Sequence, residues 1–379
     1  MKICYLAQSL SNDIVERWTK WFASRGHDVH LILPKSFSSF KIFTKPVKNI
    51  YVHEVNIDTN FVKHFPFYGS WNLLLHRKTI AKIDPDIVHG FGNGIPTVFS
   101  GNYIKVVSIL GLEIAPEYLN VIYKILIKIV FRRSHLIHCY AENLHEMAAN
   151  VSSKKDKNKI ITITPAADTQ LFNPYINSKE IRKQLGQEEN YLVISTRSVA
   201  SIYNLECLID AIPIVVKEIP NTKFILKAWS TTKSVDRANE LKDKVKEAGT
   251  QNHVKFIDYV EYEELPKYLA CADVYVSTSL FDGLGISNIE ALACGTPAVL
   301  ADIDSTRNLT KKGLHARLYP PKDSKALAKE IIASIKNRER GNKEIHKENF
   351  KIIKEHYDFN KNMEKMEQLY EDLIKKHKK

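Results

Sequence analysis

The sequence contains no run of about eighteen apolar residues, the minimum for a membrane-crossing helix, and Met-Lys-Ile-Cys-Tyr-Leu at its start enters a strand pattern directly, without a long apolar leader. The expectation is a protein that is neither secreted nor membrane-spanning, hence cytoplasmic. Cysteine is scarce: Cys4, Cys139, Cys207, Cys271 and Cys294 are odd in number, widely spaced and free of any C-x-x-C pair. They read as reduced core thiols, not as a disulfide frame or a metal knuckle. Recognition-helix, RNP and finger motifs are missing, and aromatic residues do not alternate with the basic ones in strands, which argues against a nucleic-acid partner. No internal repeat is found, and the one biased run, SSKKDKNK at 152–159, reads as a solvated loop.

What is present is enough chain, 379 residues with 44% hydrophobic content, for two domains of ordinary size. The net charge of +12 is unevenly spread. Residues 1–170 hold 21 Lys/Arg against 13 Asp/Glu, residues 171–320 hold 18 against 19, and residues 321–379 hold 16 against 11. The excess therefore lies in the first half and the tail, where it serves anionic partners or solubility equally well.

Short apolar strands alternate with helical patterns along most of the chain, the mark of parallel sheets with crossover helices. KICYLA, DVHLIL, DIVHGF, KVVSIL, HLIHCYA and KIITITPAA supply strands of the first half. YLVISTR, KFILKA, HVKFIDYV and DVYVST do so in the second, with a helix from Leu205 to Val216 between the first two. The pattern breaks at DTQLFNP, residues 168–174. Two doubly wound α/β domains are expected, over 1–173 and 174–355, with a terminal segment 356–379 that carries a last helix near 360–377.

The densest signal is STSLFDGLGISNIEALACGTPAVLADI, residues 277–303. Asp282 and Glu290 flank a turn whose Gly283 and Gly285 permit backbone conformations and close approaches that a Cβ would block, and a helix begins near Ile286. The free amides and positive dipole end of that helix suit an anion, and Glu290, further along it, is placed to accept hydrogen bonds from ribose hydroxyls. The pattern fits a sugar-nucleotide site. It also fits a buried β-turn-α connection whose glycines serve packing.

The segment resembles a known motif in long register. Asp282-Gly283-Leu284-Gly285-Ile286-Ser287-Asn288-Ile289-Glu290-Ala291-Leu292-Ala293-Cys294-Gly295-Thr296-Pro297 is similar to the acidic-x7-Glu signature of the retaining glycosyltransferases of family 4, within E-G-F-G-x-x-x-x-E-A-x-A-x-G-x-P. Asp282 stands where the family usually has Glu, and Leu284 where Phe is frequent. RGHDVHLI, PDIVHG, SILGLEI and PAADTQLF also resemble family segments, more weakly. The resemblance implies the GT-B fold: two Rossmann-like doubly wound domains with a cleft between them, an acceptor domain first and a nucleotide-sugar domain second, and a terminal helix crossing back onto the first.

It further implies transfer of a hexose from a UDP- or GDP-sugar to a glycan or glycolipid, with retention and without a metal. No cofactor is implied, since the nucleotide-sugar is a substrate, and no D-x-D stands where the other main transferase fold would hold a divalent ion. In the matching strand-loop-helix STRSVASIYNLECLIDAIPIV, Arg197 falls on the family's phosphate-binding Arg, and Tyr203 on its phosphate-binding Lys. Lys227, ending the strand KFILKA, is a candidate replacement cation. Asp282 would lie by the sugar ring and Glu290 on the ribose, with Gly283, Leu284, Gly285, Ile286 and Ser287 lining the donor. In the first half, Phe91 and Leu110 stand where many members have a sugar-contacting His, and Glu113 replaces an Asp. His89 remains as a strand-end candidate to orient a hydroxyl. Ser9 and Asn12 stand in the first loop as acceptor candidates or helix N-caps.

Residues 117–133, EYLNVIYKILIKIVFRR, place Tyr118, Ile122, Ile125, Leu126, Ile129 and Val130 at helical spacing among Lys124, Lys128, Arg132 and Arg133. The segment reads either as a core crossover helix with one basic face or as a peripheral contact with the anionic inner face of a membrane, the second favouring a lipid-linked acceptor. Two other classes stay open: a basic binding protein of the same fold without catalysis, and a phosphorylase or epimerase on that fold.

Overall fold

The computed structural model describes residues 1–7, 12–35, 47–55, 73–92, 94–115, 120–185, 187–227, 235–337 and 339–377. Two compact units are formed: Met1–Thr164 together with Asn360–Lys379, and Pro165–Phe359.

Among the described residues of the first unit, seven parallel strands form one sheet. They are β1 (Lys2–Leu6), β2 (Asp28–Pro34), β3 (Ile50–Val55), β4 (Ile87–Phe91), β5 (Ile104–Ile109), β6 (Leu136–Cys139) and β7 (Ile160–Thr162), in the order β3-β2-β1-β4-β5-β6-β7. Every residue of β4, β5 and β6 is buried, as expected for central strands covered by helices on both faces, and this is why they read as unbroken apolar runs. The terminal helix Phe359–His377 belongs largely to this unit. Trp21 Nε1 donates to Asn360 Oδ1 at 3.1 Å, and Glu367 accepts from Arg25 Nε at 2.9 Å and lies 2.6 Å from His27 Nε2.

The second unit repeats the design with β8 (Tyr191–Ser195), β9 (Thr222–Lys227), β10 (Val254–Ile257), β11 (Val274–Ser277), β12 (Ala298–Ala301) and β13 (Arg317–Tyr319), all parallel in the order β10-β9-β8-β11-β12-β13. Its core joins Val193, Phe224, Val274, Val276 and Val299 from the sheet to Leu208, Ile212 and Val215 of the helix Leu205–Glu218 and to Leu327 and Ile331 of Ser324–Lys336. The strand order reverses between β8 and β11, so the loops after these two neighbours diverge to opposite faces and leave a crevice at their carboxyl ends, the usual ligand position of open α/β sheets.

Candidate functional site

Both loops at the reversal point of the second sheet carry residues singled out in the sequence. Arg197 lies just past β8, and the turn Ser201–Tyr203 is tied to the loop after β11. Thr278 Oγ1 donates to the Tyr203 carbonyl at 2.6 Å, and the Leu280 amide to that of Ile202 at 2.8 Å. These bonds bring Arg197 against Asp282. One guanidinium nitrogen reaches Asp282 Oδ1 at 2.6 Å, the other donates to Ser287 Oγ at 2.7 Å, and the guanidinium carbon sits 4.1 Å from the centre of the Tyr203 ring. Side-chain exposure is 8% for Arg197 and 11% for Asp282, so the pair is nearly dry. Burial by itself depresses the Arg197 pKa, but Asp282, Tyr275 and Tyr203 more than offset it and hold the group above its ordinary value.

The turn then enters the helix Ile286–Ala293 through Gly285, whose φ of 74° is the left-handed conformation that only glycine adopts without strain. A Cβ there would lie 2.5 Å from Asn288 Nδ2. Gly283 does not have a positive φ, so the left-handed conformation is found at Gly285 and not at Gly283. The Asn288 amide bonds to the Gly285 carbonyl at 2.9 Å, while the amides of Ile286 and Ser287 have no backbone partner among the described residues, as the first turn of a helix leaves them. Leu284 is buried, at 6% exposure.

Behind the turn, the Tyr275 hydroxyl of β11 lies 3.0 Å from Ser287 Oγ and 3.3 Å from Asn288 Oδ1, fixing the first helical turn from below. Glu290 is buried at 4% exposure and accepts a hydrogen bond from the Tyr262 hydroxyl at 3.1 Å; the Tyr262 ring packs on Phe172 with centroids 5.2 Å apart. Sequence reasoning missed Tyr275 and Tyr262. A strand tyrosine and a loop tyrosine carry no local signal of contact with a helix elsewhere in the chain. Lys227 ends β9, next to β8 in the sheet, and is half-buried.

The first-unit candidates fare differently. His89 is fully buried within β4, not open at a strand end, and both ring nitrogens are engaged. Its Nδ1 meets the Tyr370 hydroxyl, and its Nε2 lies 2.7 Å from Ser108 Oγ. Ser108 Oγ is in turn 2.7 Å from His138 Nδ1, and His138 Nε2 is 2.8 Å from the Ile163 carbonyl. A carbonyl only accepts, so His138 Nε2 donates to it and the chain runs one way: Tyr370 donates to His89, His89 to Ser108, and Ser108 to His138. Burial lowers the pKa of both imidazoles, that of His138 to about 4, and keeps them neutral. Core bonding therefore replaces the hydroxyl-orienting role expected of His89.

Glu113 also turns inward on its own loop, accepting the amides of Leu110 and, at 3.0 Å, Gly111. Burial raises its carboxyl pKa against the pull of those amides. The carboxylate is thus spent on bracing the loop. Ser9 lies outside the described residues. Asn12 opens the helix Asn12–Ser24, and its side chain is likewise not among those described.

Of the apolar-basic segment, Tyr118 falls outside the described residues, and the helix itself is Val121–Arg133, capped by Asn120 Oδ1 on the Tyr123 amide at 2.8 Å. It buries Tyr123, Ile127, Val130 and Phe131, so Val130 belongs to the inner face. Val121, Ile122 and Ile125 are 74%, 61% and 54% exposed, beside exposed Lys124, Lys128, Arg132 and Arg133. Among the described residues, no helix is long and apolar enough to cross a membrane.

A polar turn at the reversal point of a six-stranded parallel sheet, with a buried Arg-Asp pair at a helix start and a buried Glu on that helix, makes this end of the second unit the candidate ligand site of an open α/β fold. Comparison with known proteins supplies the family. Residues 177–374 match the model of glycosyl transferases group 1, and residues 2–141 that of glycosyl transferase 4-like proteins. The chain belongs to the group 1 glycosyl transferases.

It is 27% identical over 180 residues to mannosylfructose-phosphate synthase of Agrobacterium fabrum, covering 46% of this chain and 39% of that protein. It is 29% identical over 134 residues to phosphatidyl-myo-inositol mannosyltransferase of Mycobacterium leprae, covering 35% and 34%. The matched stretch is thus well under half the length of either relative. The crystal structure of Anabaena HepE with UDP-glucose superposes with a TM-score of 0.80 at 19% identity, over 98% of this chain and 100% of that one. The fold is GT-B.

Proposed function

We propose that this protein is a retaining, metal-independent hexosyltransferase that moves a sugar from a UDP- or GDP-sugar to a glycan or lipid-linked acceptor. The carrying observation is the cluster at the reversal point of the second sheet, where Arg197, Asp282 and Ser287 converge on the start of the Ile286–Ala293 helix with Glu290 buried behind them.

Glycosyl transfer develops negative charge on the leaving nucleoside diphosphate while the sugar becomes oxocarbenium-like. In this proposal the amides of Ile286 and Ser287, the helix dipole and the Arg197 guanidinium take the phosphate charge, with Lys227 a further cation beside them. Glu290 accepts the ribose hydroxyls, and Asp282 faces the sugar, hydrogen-bonding its hydroxyls and balancing positive charge at the anomeric carbon. The first unit is assigned the acceptor.

A lipid-linked acceptor at the inner face of a membrane is favoured by the outer side of Val121–Arg133. That helix has no acidic residue, four exposed basic side chains and three exposed apolar ones, suited to an anionic interface. The naming of one relative for a phosphatidyl-inositol substrate agrees with it. A cytoplasmic location agrees with five buried free thiols.

Calorimetric titration of the full chain with UDP, GDP and ADP in metal-free buffer, repeated on Glu290→Ala, tests the donor site. One nucleotide is expected to bind and to be lost in the variant. Failure of all three to bind the native chain refutes the proposal.

A further inference from the structure

We infer that Asp282 acts as a built-in stand-in for the donor's diphosphate, occupying Arg197 in the free protein and yielding it when the nucleotide arrives. This rests on the donor-site proposal above and adds a competition within it. Arg197 is the cation that meets Asp282, and the place where the resembled motif carries a second cation holds Tyr203, whose ring centre lies 4.1 Å from the guanidinium carbon and adds no charge. A buried guanidinium left alone would be costly, and Asp282 at 2.6 Å supplies the missing anion.

The pairing is incomplete on both sides. Arg197 Nε and Asp282 Oδ2 are both buried with no hydrogen-bond partner among the described residues. A guanidinium offers five N–H donors, and a carboxylate accepts at two oxygens. The free state thus leaves a buried nitrogen of Arg197 and a buried oxygen of Asp282 unsatisfied within one ion pair, at the turn that opens the Ile286–Ala293 helix. A diphosphate would satisfy the donor side, and a sugar hydroxyl the acceptor side. Either gain loosens the Arg197–Asp282 bond and frees the carboxylate to face the sugar.

The consequence separates binding from transfer. Removing the Asp282 charge takes away both the competitor for Arg197 and a like charge near the phosphates. Asp282→Asn should therefore bind the free nucleoside diphosphate about tenfold more tightly than the native chain, while sugar transfer falls by orders of magnitude. Asp282→Ser, which removes the carboxylate by another route, carries the same expectation should the Asn variant fold poorly.

Calorimetry of the full chain with whichever of UDP, GDP or ADP binds it decides the matter, on the native protein, both Asp282 variants, Arg197→Gln and the double variant Arg197→Gln/Asp282→Asn. The expected pattern is tighter binding on losing Asp282, weaker binding on losing Arg197, and a clearly smaller gain from Asp282→Asn once Arg197 is gone. Equal or weaker binding by both Asp282 variants overturns the inference. So does a gain that is undiminished without Arg197, which would mean charge repulsion alone. A native chain that binds none of the three nucleotides instead overturns the donor-site proposal and this inference with it.

Discussion

Gly285→Ala is the sharpest test of the geometry at the start of the motif helix. Gly285 has φ 74°, and an alanine held there incurs about 1 kcal/mol of left-handed strain. The new methyl would lie 2.5 Å from Asn288 Nδ2, too close for any real contact, so Asn288 must shift away from the Tyr275 hydroxyl 3.3 Å from its Oδ1. Losing that buried hydrogen bond adds about 1 kcal/mol. Together these disturb the first helical turn by about 2 kcal/mol, and the amides proposed to hold the diphosphate move with it. Nucleotide affinity should fall by at least about tenfold, measured by calorimetry at constant salt. Gly249→Ala is the matched control. It has φ 67° with nothing within 4 Å of an added methyl, so it carries the strain without the clash and lies on another loop of the same unit. Its expected effect is a loss of about 1 kcal/mol in urea unfolding with nucleotide affinity unchanged. Native-like nucleotide binding by Gly285→Ala, or an equal loss in Gly249→Ala, refutes the reasoning.

Tyr262→Phe removes the donor to Glu290 Oε1 at 3.1 Å, a charge-assisted bond of about 1–2 kcal/mol, and should raise the nucleotide Kd about tenfold with the melting temperature little changed; an unaltered Kd would show that Glu290 needs no such brace. For the first unit, the folded-state pKa of His138 lies near 4 against an ordinary 6.5, so the unfolded chain takes up the proton first as pH falls. The His138 contribution to stability is complete above pH 6.5 and should fall by about 3 kcal/mol between there and pH 4, read by urea unfolding with near-ultraviolet circular dichroism as a slope that is shallower by that amount in His138→Gln. The native chain should sediment with vesicles of anionic phospholipid and not with zwitterionic ones. Joint replacement of Ile122, Lys124, Ile125 and Lys128 by Glu should abolish this, and unchanged sedimentation would leave Val121–Arg133 as a crossover helix only.

The parts of this molecule legible in its sequence are those encoded locally. Central strands such as β4, β5 and β11 are buried on both faces and so appear as apolar runs, and the acidic-x7-Glu spacing names its helix because the glycine turn and the helix start are contiguous. Strand β3 escaped because it is half-exposed at the sheet edge, with Tyr51 and Val52 open and no unbroken apolar run. The helix Lys343–His356 escaped because its long charged face dilutes the pattern. The His89 expectation failed for a different reason: its position beside PDIV was plain, but its partners Ser108 and Tyr370, and His138 beyond Ser108, come from three distant segments. A side chain's neighbours across a sheet are set by register, which a single sequence does not display. Tyr262 against Glu290 belongs to the same class.

The two departures of the donor motif, Asp282 for Glu and Tyr203 for Lys, looked independent in the sequence, yet both end on the one guanidinium of Arg197. A lysine at 203 would bring a second positive charge to this nearly dry turn, and the carboxylate could not balance both cations. With tyrosine there, one anion suffices, and Tyr203 contributes its ring face in place of charge. The shorter Asp reaches Arg197 from the turn while Gly285 keeps the space 3.5 Å from its Oδ2 free of a side chain. The substitutions are therefore coupled through Arg197. Tyr203→Lys in the native background should unbalance the turn, and it should cost more still beside Asp282→Asn, where no anion is left to face either cation, a non-additivity measurable in a double-mutant cycle. Strictly additive effects would separate the two positions again and leave the Arg197 cluster a coincidence of packing.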